Sequence, residues 1–185
     1  MEKLDVLRAP WYGDESKDNF VHETCIIKRK EKCSIGKHCA IDGFFWCTTG
    51  LELGDYIHIG PHVSIIGGAD ALLKMGNFSS LAAGCRVIAG TDNYNGDGFQ
   101  VPMVPEKYRD STTIKPITIG NYVGVGTNVV ILPGVSLGEG SVVAANGLVR
   151  EDLEPWTIYA GDPLRPVKRR KKDTILSMAK ELGYE

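Results

Sequence analysis

Aliphatic side chains fall every six residues over most of the chain. Ile35, Ile41, Cys47, Leu53, Ile59 and Ile65 form one run. The series breaks at Gly67-Gly68-Ala69-Asp70 and resumes four residues out of step at Met75, Leu81 and Val87. After the stretch 90–116, Ile119, Val125, Ile131, Leu137, Val143 and Val149 keep the same step. Glycine often follows the aliphatic residue, as at Gly36, Gly54, Gly60, Gly76, Gly120, Gly126 and Gly138. A small or β-branched residue often comes four positions after it, as at Cys39, Val63, Ser79, Cys85, Val123 and Val129.

A period of six matches neither the 3.6 of an α-helix nor a lone amphipathic strand. It describes a short strand and a turn, repeated, with alternate residues facing inward and glycine easing the turn sterically. One such unit cannot bury its own apolar face, so the units must stack into a solenoid with a continuous core. An ordinary β-sandwich of short strands is the competing reading, and the fifteen in-step positions weigh against it.

The motif of an aliphatic residue, Gly, two variable residues, a small residue and another variable one is clear in Ile119-Gly120-Asn121-Tyr122-Val123-Gly124 and Val125-Gly126-Thr127-Asn128-Val129-Val130. It resembles that of the hexapeptide-repeat acyltransferases. The resemblance implies an all-β fold: a left-handed parallel β-helix of triangular section, three hexapeptides to a coil. An extended loop and a short C-terminal α-helix complete the expected architecture. Crossover sterics alone would have favoured the other hand. Residues 1–32 are expected to form a cap segment, 33–168 the β-helix with its loop at 90–116, and 169–185 the C-terminal helix. Pro10, Trp11 and Tyr12 suit an irregular cap. The residues Lys28-Arg29-Lys30-Glu31-Lys32 suit a solvated surface.

Three hexapeptides per coil predict the stacking. Leu53, Met75, Ile119 and Leu137 share one column; Ile59, Leu81, Val125 and Val143 a second; Ile65, Val87, Ile131 and Val149 a third. The four-residue slip reads as a small loop at a coil corner, and 90–116 as an excursion from another corner. Residues 155–163 look like the family's exit segment. Ile175, Met178, Ala179 and Leu182 fall at helical spacing and predict a helix over about 173–182.

The same resemblance implies acyl transfer from acetyl-CoA within a homotrimer, with the pantetheine along an outer groove between subunits and a neighbour's loop closing the site. The chemistry requires a base for the acceptor proton, donors for the oxyanion, and alignment of donor with acceptor. Related sugar and xenobiotic acetyltransferases carry a His in the loop just after the Ala-Gly step. Here Ala89-Gly90 is followed by Thr91 and Asp92, and the loop contains no His. The chain offers His22, His38, His58 and His62. His58, just before inward Ile59, and His62, three past it, should both point outward. They and Asp92 are the candidate catalytic residues, whereas His22 and His38 suit surface positions. Asp92, Asn93 and Tyr94 are candidates for acceptor binding, and Asp97 suits a turn before Gly98.

On the cofactor side, Thr127 stands where the family often has a small hydroxyl residue near the pantetheine. Ala144-Ala145-Asn146-Gly147 matches the small-residue step that lines it. Arg165 and Lys168 match the pair that meets the CoA phosphates, and Arg169 extends a cluster dense enough to hold a phosphate-rich ligand. Arg150-Glu151 departs from the Thr-Lys pair common there.

Composition narrows the partners. A formal charge of −2 gives no reason to expect nucleic acid, and no apolar run reaches the ~18 residues of a membrane span. Five cysteines without CxxC spacing and the lack of a signal peptide point to reduced structural thiols in the cytoplasm. The expected acceptor is a hydroxyl of a sugar or cell-surface saccharide precursor. Ser79-Ser80-Leu81-Ala82-Ala83-Gly84 and Gly90-Thr91-Asp92 resemble the group associated with polysaccharide biosynthesis. The amino group of a nucleotide-linked sugar is the alternative, favoured by the loop's lack of His. A carbonic anhydrase-like β-helix with shared His ligands is a further reading. No metal is expected, because His58 and His62 lack a carboxylate partner in a binding motif.

Overall fold

The computed structural model describes residues 18–184, so Pro10, Trp11 and Tyr12 lie outside the described residues. The strands wind into a left-handed parallel β-helix with three flat faces. Face A stacks Phe20–Val21, Ala40–Ile41, His58–Ile59, Ser80–Leu81, Gly124–Val125, Val142–Val143 and Thr157–Ala160 in parallel, and Arg165–Arg169 closes it antiparallel. Face B stacks Ile26–Ile27, Trp46–Cys47, Ser64–Ile66, Arg86–Ile88, Val130–Ile131 and Leu148–Val149. Face C stacks Cys33–Ile35, Gly50–Leu53, Leu72–Met75, Ile117–Ile119 and Ser136–Leu137.

The three predicted columns are the register of these ladders. Leu53 pairs with Met75, Met75 with Ile119 and Ile119 with Leu137. Ile59 pairs with Leu81, Leu81 with Val125 and Val125 with Val143. Ile65, Val87, Ile131 and Val149 follow suit. All of these side chains are buried in one core. Each stabilises the stack by roughly 1.5–3 kcal/mol through lost water contact.

The stack begins earlier than residue 33. Val21 pairs with Ile41, and Ile27 with Cys47. The repeat is hidden there because the 3-10 turn Lys30–Lys32 adds two residues between inward Ile27 and Ile35. That turn sits at the corner joining faces B and C. Both longer insertions leave from this same corner, not from different ones as the sequence suggested. The glycines at their bases touch: a Cβ on Gly90 would lie 2.8 Å from Gly67 Cα.

The repeat glycines serve a purpose other than turning. None of Gly36, Gly54, Gly60, Gly76, Gly120, Gly126 or Gly138 has a positive φ. They are small because the next coil leans on them. A Cβ on Gly76 would come within 2.5 Å of Asn121 Oδ1 and 2.7 Å of Asn121 N. Asn121 Oδ1 is there to accept a hydrogen bond from Asn77 N (2.9 Å), and Asn77 Oδ1 accepts one from Asp55 N (2.8 Å).

The left-handed turn conformation falls two residues later. His38, Tyr56, Phe78, Tyr122 and Trp156 at the C–A corner all have φ between 52° and 60°. So have Phe44, His62, Asn128 and Asn146 at the A–B corner, between 58° and 62°. Such angles are unfavourable for bulky side chains. At the C–A corner, ring stacking offsets the strain. His38, Tyr56, Phe78 and Tyr122 stack at 4.8, 4.7 and 5.6 Å, and Trp156 reaches Tyr122 at 6.0 Å across the space left by Gly140.

The helix Asp173–Glu181 packs on this aromatic ladder. Ala179 is buried and Ile175 packs with it against Phe78, Tyr122 and Trp156, while Met178 and Leu182 face solvent. Tyr184 Oη donates to Asp55 Oδ2 (2.6 Å), and its ring meets Tyr56 and Phe78 edge-on. Burial raises the Asp55 carboxyl, but hydrogen bonds from Tyr184 and Lys37 N outweigh it and hold the group below its ordinary value. The bond to Asp55 pushes the Tyr184 hydroxyl up to about 12.

Two outcomes are expected. Gly76→Ala should destabilise the protein by about 1–3 kcal/mol. Gly124→Ala, whose Cβ meets nothing closer than 3.7 Å, should leave the thermal midpoint unchanged or raised. The tail latch should hold between two limits. It weakens as pH falls through the lowered Asp55 value and again as pH rises through about 12 at Tyr184. Amide exchange in Asp173–Glu181 should quicken at both extremes, and Tyr184→Phe should abolish that dependence.

Candidate active site

In the middle of face A the outward residues are small apart from one, with bulky Phe20 and Ile158 at its two ends. The ladder places Ala40, His58, Ser80, Gly124 and Val142 above one another. His58 stands out from this surface, half exposed, and its Nε2 lies 3.0 Å from Asp42 Oδ2 of the coil below. The carboxylate partner that the sequence did not supply for His58 is therefore present.

The other histidines are engaged differently. His62 lies at the A–B corner, its ring parallel to Phe44 at 4.8 Å, and Arg86 Nη1 donates to its backbone carbonyl (2.6 Å). His38 stacks on Tyr56 and lies 3.6 Å from Asp18. His22 Nδ1 pairs with Thr24 Oγ1 at 2.9 Å.

The long insertion is an ordered hairpin. Gly90–Asp92 pairs antiparallel with Thr112–Ile114. Beyond it, Asp110 ties the loop together, accepting from Tyr94 N (2.8 Å), Gln100 Nε2 (3.0 Å) and Ser111 N (2.8 Å). The bond from Gln100 leads the effects that hold the Asp110 carboxyl below its ordinary value. Asn93 spends both amide atoms inside the loop, on Ser111 Oγ and Thr113 Oγ1. Asp92 lies half-buried at the hairpin base, and the Tyr94 ring is exposed.

Thr127 and Ala145 stack at the A–B corner, where Asn146 N donates to Thr127 O (2.8 Å). A Cβ on Gly126 would lie 2.6 Å from Ala145 N and 2.9 Å from Ala144 C, so coils here are in backbone contact. The result is a smooth edge along which an extended chain can approach the backbone. At its upper end Ala160 pairs with Arg165, and Ile158 with Lys168. A cleft of about 300 Å³ opens between Glu154, Thr157, Tyr159, Val167, Lys168 and Arg169. Arg169 Nη1 donates to Thr157 Oγ1 (2.7 Å). Arg170 turns inward instead, donating to Tyr122 O and Gly140 O and lying over Trp156.

The chain thus gathers Thr127, Ala144, Ala145 and Arg165 on one edge, with His58 and Asp42 on the adjoining face. It does not gather Asp92 with His58. The hairpin leaves from the B–C corner, which lies opposite face A. Sequence reasoning missed Asp42 and Asp110. Asp42 precedes His58 by 16 residues, nearly one coil, and that spacing was the available signal.

No family model matches the chain. Relatives do. The chain is 30% identical to a dTDP-4-amino-4,6-dideoxy-D-glucose acyltransferase of Escherichia coli over 148 residues, 78% of this chain and 76% of the relative. It is 35% identical to a probable macrolide acetyltransferase of Lysinibacillus sphaericus over 143 residues, 70% and 76% of the two chains. The chain belongs to the hexapeptide-repeat acyltransferases. This acyltransferase also superposes with a TM-score of 0.83 on AntD, an N-acyltransferase from Bacillus cereus crystallised with dTDP and 3-hydroxybutyryl-CoA. The two are 28% identical, and the match covers 90% of this chain and 88% of AntD. A putative lipopolysaccharide biosynthesis O-acetyl transferase, WbbJ of Escherichia coli, is 30% identical over 139 residues, 72% of this acyltransferase and 65% of WbbJ.

Among the described residues of the acyltransferase, no three His, Cys, Asp or Glu side chains converge, and no helix is long and apolar enough to cross a membrane. The five cysteines are thiols, and burial pushes that of Cys33 up to about 11. Replacing Arg165 and Lys168 together by Ala should raise the KM for acetyl-CoA several-fold and leave that for the acceptor near the wild-type value, as read from initial rates.

Proposed function

We propose that this acyltransferase moves an acetyl group from acetyl-CoA to a sugar, with the amino group of a nucleotide-linked sugar as the first acceptor and a sugar hydroxyl as the second. The match to AntD over nine-tenths of the chain carries the order. A hairpin without a His agrees with it, because an amine needs less help from a base than a hydroxyl. The His58–Asp42 pair and the similarity to WbbJ favour the hydroxyl.

In either case the acceptor loses a proton, its nitrogen or oxygen bonds to the thioester carbonyl carbon, and the C–S bond breaks. CoA leaves as the thiol with a proton. Arg165, Lys168 and Arg169 hold the phosphates, and Thr127, Ala144 and Ala145 line the pantetheine. His58 takes the acceptor proton. His62 is the weaker candidate, its ring being spent on Phe44. Asp92 and Tyr94 of the hairpin bind the acceptor while Asn93 holds the hairpin in shape, and Asp92 is the alternative base.

These two halves of the site come from different subunits. The hairpin root and His58 lie on opposite sides of one prism, so the hairpin meets a face A only on another copy. A ring of three closes this head-to-tail contact. Five thiols suit the reducing cytoplasm, where acetyl-CoA and nucleotide sugars are available.

Thiol release from acetyl-CoA should be measured with dTDP-4-amino-4,6-dideoxyglucose, with simple amino sugars and with unmodified sugars. Release should be fastest with the nucleotide-linked amine. Faster release with a sugar lacking an amine would reverse the order, and none with any of them would defeat the assignment. His58→Ala should lower kcat by about 100-fold or more.

A further inference from the structure

We propose that Asp42 is a positioning residue that fixes the tautomer of His58 and so presents the Nδ1 lone pair to the acceptor. The inference rests on the reading above that His58 takes the acceptor's proton.

The ladder makes the contact. Ala40 pairs with His58, and Asp42 lies two residues beyond Ala40, past inward Ile41. Its carboxylate therefore rises beside the imidazole of the next coil, 3.0 Å from Nε2. Its own backbone is fixed, because Asp42 N donates to Ile59 O (2.8 Å). An ionised carboxylate only accepts hydrogen bonds, so the neutral imidazole must carry its proton on Nε2. Nδ1 then keeps its lone pair, and no hydrogen bond reaches it among the described residues.

The neighbourhood leaves room for an acceptor. Ala40 lies below His58, and Ser80 and Gly124 above it. The donor also arrives at the right height. From the Arg165 strand the small edge runs down past Ala144 and Gly126 to Ala82. That is four strand spacings, about 19 Å at the usual strand separation. A pantetheine arm held by its phosphates at the top and extended along this edge ends beside Ser80, one coil above His58. None of the other histidines has this combination of a carboxylate on one nitrogen and an open small-residue face on the other.

A half-exposed pair of this kind contributes little to stability. Its removal should therefore register in turnover and not in folding. The substitution Asp42→Asn keeps the shape but supplies an amide N–H that can donate to Nε2, which favours the wrong tautomer.

The test uses the full chain, acetyl-CoA and dTDP-4-amino-4,6-dideoxyglucose. Asp42→Asn should lower kcat at least about 10-fold with the thermal midpoint and the KM for acetyl-CoA unchanged, and Asp42→Glu should recover part of the loss. In a background of His58→Ala, Asp42→Asn should cost no more than about 2-fold further, since both act through one imidazole. Nitrogen-15 NMR of His58 should show the Nε2–H form in the wild type and a shift from it in Asp42→Asn. Wild-type turnover in His58→Ala overturns the base assignment, and this inference with it. Loss in His58→Ala alongside wild-type turnover in Asp42→Asn overturns the positioning role alone. An Nδ1–H imidazole in the wild type overturns it whatever the turnover.

Discussion

Coils in this protein sit one hydrogen-bonded strand spacing apart, and that short distance governs what each position can be. Inward positions must be aliphatic, since they touch their counterparts above and below in a continuous column. The position after them must lack a side chain wherever the next coil's Asn or Asp leans across it, as Asn121 does over Gly76. Two residues later the chain must enter the left-handed region to round the corner, even with Tyr or Trp in place. Uniform spacing then turns that local penalty into a gain, because strained rings recurring at one corner stack on each other and receive the C-terminal helix.

The columns were legible because one residue type at a fixed step carries most of the information about an inward-facing position. Ile59, Leu81, Val125 and Val143 could be aligned without any three-dimensional knowledge beyond three steps to a coil. The start of the stack was not legible, since two extra residues at Lys30–Lys32 break the step between Ile27 and Ile35. The reason for the repeat glycines was also hidden. A glycine that turns and a glycine that makes room look the same in a sequence, and only φ and the neighbouring atoms separate them.

The site was half legible for a related reason. That His58 points outward follows from its place beside an inward residue. Its bond to Asp42 depends on which outward residues of successive coils lie diagonally next to one another, and no single-coil pattern encodes that. The ring of His62 gave no sign that Phe44 would cover it, because their stacking follows from the shared turn conformation at the A–B corner. Asn93 was expected to meet the acceptor, yet its amide is spent on holding the hairpin together.

Among the described residues, every departure from the six-residue step falls at the corner joining faces B and C, whether it adds two residues, four or the whole hairpin, or drops two between Val149 and Leu153. The other two corners are sealed by stacked rings, Asn side chains and packed backbone, and an added residue there would put all later columns out of register. One edge of the prism is thus free to vary in length while the core above and below it keeps its alignment. A hairpin of another size or chemistry could be grafted between Ala89 and Ile117, and the small-residue edge at the A–B corner would not move. On the function proposed above, donor recognition and acceptor choice are in this way carried by parts of the chain that can change independently.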